Sequence, residues 1–268
     1  MARQTTLKKE TRLSGVGLHC GKPVELVMKP GKPGSGIVFS LGGKKIRAGL
    51  KKAGGGLYSL RAGPVITIEH LLAAVYALEL DNVELELSAI EVPILDGSSL
   101  PFVFAIEKAG LRKQAWSRKE INLKDVFVAG RDGRLIAASP AKSLSLLCAI
   151  DFPGPLIGRQ IIELEVTPRN FKKQLAPART FGWEEQVKEQ RRAGLIKGAS
   201  LKNAVFFGKK SVKNPEGLRF KNEPVRHKAL DILGALALLP GRLNARITAY
   251  RSGHSLDLEL IQKIGGEK

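Results

Sequence analysis

The sequence predicts a mixed α+β protein built on a repeated unit, and three observations carry that expectation. In "NVELELSAI" (82–90), Val83, Leu85 and Leu87 alternate with Glu84, Glu86 and Ser88, the period of a half-buried strand. "TIEHLLAAVYALEL" (67–80) and "NEPVRHKALDILGALALLPG" (222–241) are apolar stretches of helical length. These two helices also share a local plan. "EH" at 69–70 and "RH" at 226–227 are each followed by an apolar helix, a short turn and a strand, with nearly equal spacing. A duplicated α+β unit explains this, and it would bring two equivalent helix starts together across a pseudo-twofold axis.

The elements follow in order. "VELVMKP", "GIVFSL" and "KIRAGL" are short strands cut by Gly and Pro. Thr67 is placed as the N-cap of the first helix. "LDGSSLPFVFAIEKAG" reads as a turn and a helix closed by Gly110. The polar, basic stretch 111–120 marks the boundary between a first domain, 1–115, and a second, 120–268. Strands are expected at 121–129, 134–139, 143–151 and 160–166. "WEEQVKEQRRAGL" is a charged helix stopped by Gly194. "NAVFFG" and "ARITAYRS" are strands, and "HSLDLELIQKI" is open between helix and strand. In the long helix, Pro224 occupies a tolerated first position and Pro240-Gly241 stops the run.

The chain has 268 residues, 43% of them hydrophobic, enough for a sizeable core and against global disorder. The apolar runs 71–80 and 229–239 are too short to cross a bilayer. "MARQTTLKKE" has no apolar stretch behind its charge, so no secretory signal is expected. Cys20 and Cys148 are distant and form no CxxC pair, which fits a reducing cytoplasm. With 44 Lys and Arg against 25 Asp and Glu, the formal net charge is +19. That favours a polyanionic partner: nucleic acid, an anionic lipid surface or a phosphorylated substrate. A lysine-rich solvated surface is the plain alternative. The basic residues are spread along the chain, aromatics are only 6%, and no base-stacking motif occurs, so nucleic acid ranks last.

Only four histidines occur: His19, His70, His227 and His254. His227 and Asp231, four residues apart, share a helix face that continues through the small Gly234 and Ala235. Imidazole and carboxylate are both zinc ligands, and a catalytic zinc needs three protein ligands and one open position. A buried His–Asp hydrogen bond is the competing reading. His70 supplies a third ligand. Glu69, pointing elsewhere, is then a general base for water at the open position. Alternatively, Glu69 and His70 are a cap and its charge partner. His254 follows Ser252-Gly253, a tight turn that would carry it to an exposed loop edge, protonated near neutral pH and able to donate to an oxyanion or leaving amine. A surface histidine in a turn is the other reading. Nothing fixes a role for His19.

"TIEHLLAA", "NVELEL", "EVPILDGSSLPFV", "PARTFGW", "GLIKGASLKNAVFFG", "NPEGLRFKNEPVRHKALDILG" and "YRSGHSL", with "LSGVGLHCGKPVELVMKP" at the start, resemble the bacterial UDP-3-O-acyl-N-acetylglucosamine deacetylases across nearly the whole chain. The resemblance implies two similar α+β domains, each a β-sheet layered with α-helices, and an active site at the domain interface. It implies zinc-dependent hydrolysis of the substrate's N-acetyl group in lipid A biosynthesis. His70, His227 and Asp231 match the zinc ligands, and Glu69 the general base. His254 matches the oxyanion and leaving-amine histidine, Thr180 an oxyanion donor, and Lys228 a substrate-binding lysine. Phe181 falls at the hexosamine, and Phe152 and Arg134 at the nucleotide and its phosphates. Segment 184–207 matches an insert forming an acyl-chain tunnel, with Leu18, Val187, Leu195, Ile196, Ala204 and Phe206 as its candidates.

The implied partners are the UDP-linked acylated glucosamine and, peripherally, the anionic inner membrane, with no nucleic acid and a cytoplasmic location. Two departures stand out. Ala235 replaces an aspartate the family usually places near the catalytic histidine, and Asp257 is expected to compensate in part. The glycine-rich stretch 51–65 is also unlike the family. A zinc amidase for another acylated amino sugar, or a weakly active homologue that binds the nucleotide lipid, are the alternatives.

Overall fold

The computed structural model describes residues 2–55 and 59–266. In the first half the strands are β1 (Arg3–Leu7), β2 (Thr11–Val16), β3 (Pro23–Pro30), β4 (Ile37–Leu41), β5 (Lys44–Arg47), β6 (Ala53–Gly55), β7 (Leu60–Ala62) and β8 (Val65–Ile66). Helix α1 (Glu69–Ala77), strand β9 (Val83–Leu87), helix α2 (Leu100–Ala109) and strand β10 (Leu111–Ser117) follow. The second half begins with β11 (Glu120–Asn122), β12 (Phe127–Arg131), β13 (Arg134–Pro140), β14 (Ser145–Asp151) and β15 (Arg159–Glu165). A short α3 (Pro168–Asn170), β16 (Phe181–Trp183), α4 (Glu184–Arg192), β17 (Val205–Phe207), α5 (Glu223–Leu236), β18 (Arg242–Tyr250) and α6 (His254–Gly265) complete it.

The two large sheets have the same plan. One runs β2-β3-β9-β4-β5 and the other β12-β13-β18-β14-β15. In each, the central strand pairs antiparallel with the strand before it in this order and parallel with the strand after it, and both outer pairs are antiparallel. In each, a helix leads into the central strand and a second helix follows it: α1-β9-α2 and α5-β18-α6. The repeated plan seen in the sequence is thus a repeated topology.

The periodicities do the local work. Val83, Leu85 and Leu87 are buried on one face of β9, and Leu146, Cys148 and Ile150 on one face of β14. Every residue of α1 is buried, because α1 lies against α5 between the layers. The close approach rests on Gly234, where a Cβ would sit 2.4 Å from the Glu69 carbonyl oxygen. Gly97 is equally constrained: its φ is +84°, and a Cβ there would lie 2.1 Å from the Asn203 carbonyl oxygen.

Several expectations are corrected. Thr67 is not an N-cap; Ile68 holds that position with no side-chain cap. Thr67 adopts φ +59° and donates its hydroxyl to the Glu91 carboxylate instead. Segment 121–129 is two strands, because Lys124 and Asp125 interrupt the pairing; β11 then joins β18 in parallel while β12 joins β13. The last segment is helix α6, with Leu256, Leu258, Leu260 and Ile261 buried. The stretch 51–65 contains β6, β7 and the start of β8, which form a small antiparallel sheet; 56–58 lie outside the described residues.

Candidate functional site

The N-terminal ends of α1, α5 and α6 meet at one place. His70 comes from the first turn of α1, and His227 and Asp231 from one face of α5. All three are buried, and their ligand atoms lie within 4.8 Å of one another. Asp231 Oδ1 is 3.5 Å from His227 Nε2 and 3.9 Å from His70 Nε2. These separations are too long for hydrogen bonds and suit donors placed around a common centre.

The surroundings prepare the donors. His227 Nδ1 is 3.1 Å from the Ala178 carbonyl oxygen. A carbonyl only accepts, so Nδ1 carries the proton and Nε2 presents its lone pair. Burial lowers the pKa of His227, and burial with His227 close by pushes His70 down to about 3, so both rings are neutral. Burial works to raise the Asp231 pKa, but its cationic surroundings, the Lys228 ammonium at 2.9 Å foremost once the rings are neutral, outweigh it and hold the group ionised. Asp231 Oδ2 accepts from Lys228 Nζ at 2.9 Å, while the buried Oδ1 has no hydrogen-bond partner. An unpartnered buried carboxylate oxygen beside two neutral imidazoles is the donor set and protonation state a divalent cation requires. The residues therefore fit zinc.

Glu69 lies beside this group and accepts from the Leu60 backbone N–H at 3.0 Å. Burial, reinforced by the Asp231 charge, raises its pKa to about 8. Burial tends to depress the Lys228 pKa, but the Asp231 carboxylate prevails and the net shift is upward, so the ammonium is held.

His254 opens α6 and departs from expectation. It is buried rather than at an exposed edge, and burial lowers its pKa to about 4, so the free protein holds it neutral. Gly253 is extended at φ −167°, a conformation any residue adopts, so no special turn is built there. Nor does Asp257 pair with it: His254 Nδ1 and Asp257 Oδ1 both lack hydrogen-bond partners. Burial raises the Asp257 pKa to about 7, against the pull of the Lys228 ammonium. Ala235, where the carboxylate was missed, is fully buried.

These residues line a cavity of about 220 Å³. Thr180, Phe181, Phe152 and Lys228 line it together with the three donors, Glu69 and His254. Thr180 is fixed by its N–H to the Gly97 carbonyl and its own carbonyl to Val205 N–H, both 2.8 Å. Phe181 packs edge-on against Phe152, at 5.8 Å between centroids, and against His227, at 6.2 Å. Leu18, Val187, Ile196, Ala204 and Phe206 also line the cavity. Val187, Ile196 and Ala199 form an apolar cluster separate from the main core, with Leu18 and Phe206 packed against it.

Two expected residues stand elsewhere. Leu195 is on the exposed side of its loop, and Arg134 points along a hairpin to Asp132 at 3.4 Å; neither lines the cavity. Leu195 alternates with Ile196, so only one of the two faces inward. Arg134 begins β13 on the edge hairpin.

Sequence reasoning left out Trp183, Gln186 and Gln190, which line the cavity. The i, i+4 spacing of the two glutamines on α4 was the available signal. His19 also lines it, with both ring nitrogens buried and unpartnered. Its loop is held by Glu91, whose carboxylate accepts the N–H groups of His19 and Cys20 at 2.7 and 2.9 Å. The other support is Arg179, buried in the "ART" segment. Its Nε donates to Glu223 Oε1 at 2.9 Å and its Nη2 to the Gly217 carbonyl at 2.7 Å, tying the Thr180 loop to the start of α5.

Residues 4–265 match the family profile described as UDP-3-O-acyl N-acetylglycosamine deacetylase. The UDP-3-O-acyl-N-acetylglucosamine deacetylase of Solibacter usitatus is 41% identical over all of this chain and 92% of its own length. Proteins of the same name from Nitratidesulfovibrio vulgaris and Oleidesulfovibrio alaskensis are 40% and 38% identical, over 95% and 97% of this chain and 85% and 88% of their own lengths. The chain belongs to the UDP-3-O-acyl N-acetylglycosamine deacetylase family.

Proposed function

We propose that His70, His227 and Asp231 hold a zinc ion and that Glu69, Thr180, Lys228 and His254 carry the hydrolysis around it. The protein is an N-deacetylase: it removes the acetyl group of UDP-3-O-acyl-N-acetylglucosamine as acetate, in lipid A biosynthesis. The observation that carries the zinc reading is the unpartnered Asp231 Oδ1 facing two imidazoles that are both neutral.

Bound there, a zinc ion would act as a Lewis acid, acidifying a water and polarising the acetamide carbonyl. Glu69 takes the proton as the water oxygen attacks the carbonyl carbon; burial and the Asp231 charge strengthen its hold on that proton, and a cation bound beside it would keep the carboxyl ionised beforehand. Thr180 and His254 donate hydrogen bonds to the oxyanion that forms. The Lys228 ammonium sits beside Asp231 on the same wall and draws anionic substrate groups. In the complex the developing oxyanion lifts the His254 pKa from its low value in the free protein, so His254 takes a proton from solvent, gives it to the amine nitrogen as the C–N bond breaks and is left neutral, while Glu69 releases to solvent the proton it took. Phe181 walls the sugar, Phe152 packed edge-on against it meets the nucleotide, and the separate cluster of Val187, Ile196 and Ala199 with Leu18 and Phe206 supports an acyl-chain channel.

We assign the two domains to 1–115 and 120–268, with the insert near 184–207. In support, β10 returns to pair with β1, whereas β11 joins β18 of the second sheet. A nucleotide-linked sugar is an intracellular substrate, which supports a cytoplasmic location. Among the described residues no helix is long and apolar enough to cross a membrane. The +19 charge supports peripheral attraction to anionic membrane.

Metal analysis of purified protein, paired with an acetate-release assay on the UDP-sugar lipid, tests this reading. One zinc per chain and its loss in His227→Ala are expected. A His227→Ala protein that keeps its metal and its turnover would sink the assignment.

A further inference from the structure

A second and larger cavity, of about 830 Å³, lies at the far ends of α1 and α5. It is reached from His227 by ten residues of helix, roughly 15 Å along the axis. Its walls come from the β4–β5 hairpin, the turn Leu50–Lys52, the end of α1 and the turn between α5 and β18. Its volume is within the range of ordinary ligand pockets.

We propose that this cavity seats the phosphate head group of an anionic phospholipid, so that the protein docks to a membrane by the face opposite its catalytic cavity. Lys44, Lys45, Arg47, Lys51, Lys52, Lys119 and Arg242 all line it. Asp81 is the one carboxylate on the lining, and Arg118 already holds it, Nε to Oδ1 at 2.9 Å. Lys45 pairs with Glu84 at 2.9 Å. Among the described residues no carboxylate pairs with Lys44, Lys51, Lys52 or Lys119. The C-terminal ends of α1 and α5 oppose an anion, each by about half a charge. Arg242 donates to the Tyr76 carbonyl at the end of α1, which offsets one of them. The surplus of unpaired cations exceeds what remains.

Charge alone would suit any polyanion. The apolar part of the lining chooses an amphiphile: Ile37, Leu80 and Leu239 are buried in its walls, and Leu50 is half-buried among the lysines. Trp116 marks the edge. It is 59% exposed, and its ring covers Gly34 so closely that a Cβ there would be 2.5 Å away. An exposed indole beside lysines is the arrangement found where protein meets head groups. Nucleic acid would need a run of free aromatic faces. The other aromatic here, Tyr76, is buried and covered by the Arg242 guanidinium at 4.3 Å.

Flotation with vesicles tests the site without depending on turnover or metal. Wild-type protein should float with mixed phosphatidylglycerol–phosphatidylcholine vesicles and not with phosphatidylcholine alone. The triple variant Lys44→Glu, Lys51→Glu, Lys52→Glu should lose on the order of tenfold or more in vesicle affinity, since each basic residue near the surface contributes appreciably. Its deacetylase rate on dispersed substrate should be unchanged. A matched triple variant on other faces, Lys124→Glu, Lys142→Glu, Lys173→Glu, has the same charge and should lose far less. Brominated phosphatidylglycerol should quench emission in wild type and much less in Trp116→Phe. Equal losses in the two triple variants would mean bulk charge and no site. Absent flotation, or tighter binding to oligo(dT) that the Lys44/Lys51/Lys52 variant abolishes, would overturn the lipid assignment.

Discussion

The α-carbon of Gly234 in α5 lies against the Glu69 backbone at the start of α1, so closely that a single added methyl group would meet the Glu69 carbonyl oxygen at 2.4 Å. This contact sets the spacing of the two helices that carry His70 on one side and His227 with Asp231 on the other.

Gly234→Ala therefore has two opposed effects. In a free helix it would add about 1 kcal/mol of stability. Here it must part α1 from α5, and overpacking costs about 1–3 kcal/mol. The expected outcome is a lower Tm and weaker metal binding, read by thermal melts and by chelator competition. A higher Tm with unchanged metal affinity would show that the contact is not tight.

Glu69→Gln keeps the shape of the site and removes the base. Turnover should fall by roughly 10²–10⁴, the usual contribution of general base catalysis, with metal content intact. Steady-state kinetics alongside metal analysis separate this from loss of the ion.

The Glu69 carboxyl, raised from 4.5 to about 8, also predicts how the metal-free protein responds to pH. Between those values the unfolded chain has lost the proton that the folded chain retains. Unfolding then releases a proton, so rising pH favours the unfolded form and stability falls across that window. Asp257, raised to about 7, adds to the slope. Urea melts of chelated protein at several pH values should show this decline, and Glu69→Gln should flatten it in part. Stability that rises over the same window would contradict the assignment.

Arg179 and Glu223 form a buried pair supported by further hydrogen bonds from the backbone N–H groups of Arg179 and Arg219. Removing one member leaves the other as an uncompensated charge. Arg179→Ala should cost about 3–5 kcal/mol, and Arg179→Lys much of that, because lysine cannot reproduce the fork. Denaturant melts measure both.

Much of this was legible in the sequence. The alternation of Val83, Leu85 and Leu87 and the marked ends of the 222–241 helix come from local periodicity and backbone chemistry, and those survive folding. The i, i+4 relation of His227 and Asp231 is likewise a property of any helix. Thr67 was misread because an N-cap rule knows nothing of Glu91, twenty-four residues away, which takes its hydroxyl.

The sequence by itself determined the long helices, the central strands of both sheets, the duplicated plan and the residue types able to bind a metal, since each depends on neighbours within a few turns. Only the tertiary structure decided the rest. It buried His254 and kept it neutral, left Asp257 buried without a hydrogen bond to that histidine, faced Ile196 inward and Leu195 outward, and gathered lysines spread along the chain around one cavity. Burial and convergence are set by elements far apart in sequence, and the potential at any group is a sum over all its spatial neighbours, which no local pattern records.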